Sequence, residues 1–131
     1  MDDFVTYDIA VKLKEKGFDW TCMAHFNNII YNEPTLNYNV TVDDIRGSNF
    51  KSLNKLDSFI DAPTISQVLK WLREEKGLHI EIRYTFSEET LWDFEVLRIG
   101  SYKGWLNNRL PLNSYEQAAL AGIDYVLNNL M

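Results

Sequence analysis

Residues 62–131, APTISQVLKWLREEKGLHIEIRYTFSEETLWDFEVLRIGSYKGWLNNRLPLNSYEQAALAGIDYVLNNLM, decide the fold, because they read as a helix, a hairpin and a second helix. Thr64 and Gln67 have the spacing of a capping box and Pro63 restricts the entry, which predicts a helix from about Thr64 to Lys76. Ile65, Val68, Leu69 and Leu72 make one apolar stripe with Trp71 on its margin, while Lys70, Arg73, Glu74 and Lys76 mark a solvated face. Gly77 ends the helix. Ile80, Ile82, Tyr84 and Phe86 then alternate with His79, Glu81, Arg83 and Thr85, the pattern of a strand with one buried and one wet face. Ser87 to Thr90 is the turn. On the return, Trp92, Phe94 and Val96 alternate with Asp93 and Glu95, but the parity changes at Leu97 and Ile99, which predicts a bulge near Val96 and Leu97. Residues 100–113 read as a loop. Ser114 and Gln117 repeat the capping-box spacing and open a last helix, Tyr115 to about Leu130. Its Ala118, Ala119 and Gly122 form a small-residue surface suited to close packing on the protein's own sheet, with a homodimer seam as the other use of the same surface.

Upstream, Thr6 to Lys16 reads as a helix with Thr6 as N-cap, lysines in its last turns and Gly17 as a left-handed stop. Trp20, Cys22, Ala24 and Phe26 alternate with Thr21, Met23 and His25, giving a strand, and residues 38–42 read as a short return strand after a polar connection. Residues 43–62 lack a sustained period; a short helix or a third strand fits around Leu53 to Ile60. The expected architecture is a single α+β domain over residues 1–131, in the order α-β-β-α-β-β-α. About four antiparallel strands form a sheet covered by three helices.

The size of 131 residues suits one core, and 4 Trp, 7 Tyr and 7 Phe supply much of it. A net charge of −6 disfavours a protein whose main task is gripping nucleic acid, which needs a dense Lys/Arg surface. Residues 96–115 depart from that balance, carrying Arg98, Lys103 and Arg109 with no acid. Arg46, Lys51 and Lys55 form a second basic stretch. Cys22 is the single cysteine, which excludes an intramolecular disulfide and fits a reducing compartment. No secretory signal or membrane span is expected, and the cytoplasm is the expected location.

Each candidate for chemistry has a plainer explanation. Cys22 and His25 could pair as nucleophile and base, but their odd spacing puts them on opposite faces of a strand, which predicts a buried Cys22 and a surface His25. Adding His79 does not complete a metal site, because no half-site spacing is present. Asp43, Asp44, Asp57 and Asp61 could hold Mg²⁺ or act as acid and base, yet adjacent aspartates in a strand diverge and no pocket can be inferred to shift a pKa, so a solvated turn is the better reading. No catalytic residue, metal ligand or cofactor is therefore assigned. Tyr102, Lys103, Trp105 and Arg109 make the one binding candidate, since aromatic and basic residues dominate the centres of interfaces and also suit base stacking. Burial of Trp105 beneath its loop is the competing explanation.

Ala62-Pro63-Thr64, Lys70-Trp71-Leu72-Arg73-Glu74, Ser114-Tyr115-Glu116 and Ala121-Gly122-Ile123-Asp124-Tyr125, with Lys12-Leu13-Lys14-Glu15-Lys16-Gly17-Phe18, resemble a group of small uncharacterised proteins encoded by phages and mobile elements of gut anaerobic bacteria. The resemblance covers the C-terminal half and the first helix, and residues 27–61 lie outside it. It implies a mobile-element setting and transfers no catalytic residue. The expected function is that of a non-enzymatic accessory protein that binds a host or phage protein. A nucleic-acid-associated protein using the basic loops and a small Cys/His or Asp hydrolase are the rivals.

Overall fold

Glycine stops, polar caps and two alternating hairpins set out the elements. The computed structural model describes residues 3–27, 35–38, 59–84, 91–106 and 112–131. Among them the order is α1 (Tyr7–Glu15), β1 (Ala24–Asn27), β2 (Thr35–Tyr38), β3 (Phe59–Asp61), α2 (Ile65–Lys76), β4 (Leu78–Tyr84), β5 (Trp92–Arg98), β6 (Gly104–Leu106) and α3 (Tyr115–Asn129). The class is α+β with antiparallel pairing throughout, as the sequence implies. The strands form two sheets of three, ordered β2-β1-β3 and β4-β5-β6, where the sequence pattern gave one sheet of about four. The added strands are β3, which falls at the end of the segment where a third strand was expected, and β6, inside the expected loop at 100–113. The chain divides into two compact units, Phe4–Thr64 and Met1–Asp3 with Ile65–Met131.

In the first unit, the Thr6 side chain accepts a hydrogen bond from the Ile9 amide at 3.4 Å and so caps α1. At the other end Gly17 takes φ +86°, and the amides of Gly17 and Phe18 reach back to the carbonyls of Lys14 and Leu13. That is a Schellman stop, and Phe18 folds into the core behind it. β1 begins at Ala24, later than the alternation from Trp20 implied. It lies between two neighbours, pairing Phe26 with Leu36 on one side and with Ile60 on the other. Ile9, Leu13, Phe18, Ala24, Phe26 and Ala62 fill the core, with the Tyr7 and Phe26 rings in edge contact at 5.3 Å.

In the second unit, β4 and β5 pair without interruption from Leu78↔Arg98 to Tyr84↔Trp92. The expected bulge is absent. Leu97 simply lies on the wetter face, against the space left by Gly104, where an added Cβ would sit 3.1 Å from Leu97 Cδ2. Ile99 belongs to the following turn rather than to the strand. Trp71 is fully in the core, not at its margin, with Lys76 over its outer ring face at 5.3 Å. α3 is capped by Ser114, whose Oγ accepts from the Gln117 amide at 3.1 Å, while Gln117 Oε1 accepts from the Asn113 amide at 2.9 Å. Ala118, Ala119 and Gly122 are buried, and a Cβ on Gly122 would stand 2.8 Å from Ile80 Cγ2. The small-residue surface is thus used on the chain's own sheet.

Candidate functional site

The β5–β6 hairpin carries the described part of the binding candidate. Its turn is pinned by backbone geometry: the Ser101 amide donates to Arg98 O at 3.2 Å, and the Arg98 amide donates to Lys103 O at 3.1 Å. Gly100 sits at φ +81°, the conformation that the third turn position adopts in a type II turn. Ser101 Oγ accepts from the Lys103 amide at 3.1 Å and fixes the far side. Beyond the turn, Glu95, Val96 and Leu97 pair with Leu106, Trp105 and Gly104.

On this frame Tyr102 is fully exposed, Lys103 is exposed, and Ile99 and Leu106 are exposed to 56% and 63%. Trp105 is half-buried, so it neither plugs the core nor stands free of it. The Arg98 guanidinium lies 5.7 Å from the centre of the Trp105 ring, a cation–π arrangement worth about 0.5–1 kcal/mol at a surface. The hairpin therefore carries Tyr102, Lys103 and Trp105 together with Arg98, Ile99 and Leu106, with Leu106 on the opposite face of β6 from Trp105. Arg98 and Trp105 meet because both project from the same face of paired strands, a relation that appears only once β6 is known to exist. Arg109 lies outside the described residues.

The outer face of the same sheet is polar. His79 Nε2 is 2.8 Å from Glu81 Oε2, and Arg83 stands 3.7 Å from both Asp93 and Glu95. Glu81 and Glu95 are direct cross-strand partners, a like-charge pairing that Arg83 offsets.

The first unit contains a different group. Cys22 is buried, as expected, but His25 is only 3% exposed and Asp61 2%, correcting the readings of a surface His25 and a solvated Asp61. Ala24, His25 and Phe26 are all buried, so both faces of β1 are covered, and β3 sets Asp61 directly opposite His25 on the same face. Asp43, Asp44 and Asp57 lie outside the described residues.

These three side chains are in an environment that opposes thiol chemistry. Burial, reinforced by the charge of Asp61, drives the Cys22 thiol far above its ordinary range. Its Sγ lies 3.4 Å from Trp20 O. Burial also lowers the His25 pKa, favouring the neutral ring. A nucleophilic cysteine needs the reverse, a thiolate held by a cation or a helix N-terminus. Among the described residues, no group of three or more His, Cys, Asp or Glu is placed to hold a metal ion, and no helix is long and apolar enough to cross a membrane.

Compared with known proteins, the chain matches no family model, no curated protein and no solved structure.

Proposed function

We propose that the protein acts by binding another protein through the β5–β6 hairpin, as a non-enzymatic accessory factor. The observation that carries this reading is the combination of a wholly exposed Tyr102 with a backbone turn already fixed by its own hydrogen bonds. Aromatic and basic side chains concentrate binding energy, and a pre-ordered turn loses little conformational freedom when it is covered. The phage or mobile-element setting rests on the resemblance, and the cytoplasmic location on the single reduced cysteine. The disarmed thiol of Cys22 weighs against the hydrolase reading, and the net charge of −6 weighs against nucleic acid as the main partner.

The test is isolation of the tagged protein from its own cells at low and moderate salt, with mass spectrometry of what remains bound. One stoichiometric protein, retained at moderate salt and lost when Tyr102→Ala and Lys103→Glu are combined, is the expected result. A partner held equally by that variant, or nucleic acid released at moderate salt, would refute the reading. A second copy of this chain as the retained species would make the hairpin a self-association surface.

A further inference from the structure

We infer that the hairpin recognises a short acidic segment of its partner, one in which carboxylates flank a large apolar side chain. The inference rests on the reading of the hairpin as the contact surface and adds the chemistry of what is held there.

The chain as a whole carries 19 acidic and 13 basic residues, yet residues 96–115 contain no Asp or Glu. At the hairpin itself, the cations Arg98 and Lys103 bracket the turn that exposes Ile99 and Tyr102. Cations beside exposed apolar side chains complement carboxylates beside an apolar anchor: the charges steer and orient, and the buried aromatic contact supplies the affinity. Arg98 is suited to this role because a guanidinium held over an aromatic ring keeps its planar fork oriented for a carboxylate.

The same surface serves a nucleic-acid strand poorly. Affinity for a polyanion grows with the number of phosphates neutralised, and the described turn offers two cations. Glu95, the direct cross-strand partner of Leu106, and Glu81 opposite it lie on the other face of the sheet from Arg98 and Trp105, so the cations of the turn are not continued along the sheet by others on the outer strand. A short acidic peptide that touches only the turn needs no more than those two cations.

The probe is a random dodecapeptide library displayed on bacteriophage, selected on the full-length protein and counter-selected on its Lys103→Glu variant, which alters an exposed side chain. The expected outcome is enrichment of Asp or Glu around Phe, Leu or Trp. A representative synthetic peptide should then bind about tenfold more weakly to Lys103→Glu and to Tyr102→Ala, and lose affinity as salt rises from about 50 to 200 mM. Selected peptides without acidic enrichment, peptides bound equally by both variants, or no selection at all would overturn the inference. So would oligo(dT) of the same length binding more tightly than any peptide. If the partner isolated from cells still depends on Tyr102 and Lys103 while acidic peptides do not bind, the acidic chemistry fails and the hairpin reading stands. If neither depends on the hairpin, both fall.

Discussion

His25 and Asp61 occupy opposed positions on β1 and β3, both buried, and their positions shape how stability should vary with pH. The folded state holds His25 below its ordinary pKa of 6.5, so the unfolded chain binds the extra proton first. The stability that a neutral His25 contributes is therefore complete above about pH 6.5 and is lost as pH falls from there through its lowered folded value. His25→Gln should flatten this acid limb, a change measurable by urea titration between pH 7 and 5. Cys22 acts at the other extreme: its raised pKa means the unfolded thiol ionises first, and stability falls once pH passes its ordinary value of 9.0. Gly122 tests packing directly. Although Ala is the better helix former by about 1 kcal/mol, overpacking against Ile80 and Phe94 costs about 1–3 kcal/mol, so Gly122→Ala should be net destabilising in the same titration. Of these features, Gly122's close approach was legible from Ala118, Ala119 and Gly122 together. The burial of His25 was not, because strand alternation assigns faces only when one face is known to be wet.

The elements whose ends are fixed by local chemistry were the most legible. Thr6, Gly17 and Ser114 act within a few residues of themselves, and each does in the structure what its type and spacing imply, while Gln117 accepts from the Asn113 amide, one residue before the Ser114 amide that a capping box would use. β6 was hidden for the opposite reason: its three residues, Gly104–Leu106, carry no period long enough to register, and only pairing with β5 defines them. That pairing made Arg98 part of the site. The hairpin's conformation depends on Gly100, where an alanine at φ +81° costs roughly 1–2 kcal/mol. Gly100→Ala should therefore lower stability by about 1 kcal/mol and weaken partner binding as the turn shifts. Tyr102→Ala, at a fully exposed position, should leave the urea midpoint nearly unchanged, within about 0.5 kcal/mol, while reducing binding. Equal losses of stability from both substitutions would show that Tyr102 is structural rather than a contact.

At the scale of the whole molecule, the α+β class was legible, and the division of the strands between two sheets was not. Each hairpin pattern specifies its own partner strand, but nothing in a strand's alternation says which sheet it joins; β3 and β6 complete the two sheets through long-range pairing. Charge is also a molecular property here. A chain of net charge −6 whose longest acid-free stretch is residues 96–115 has a local attraction for acidic surfaces there. The most direct test replaces Tyr102 with a photo-crosslinking phenylalanine derivative in cells and compares it with the same residue at Asn128, an exposed position on α3. Binding through the hairpin predicts a single crosslinked protein from position 102 and none from position 128. Crosslinking of the same protein from position 128 alone, or of nucleic acid from position 102, would contradict it.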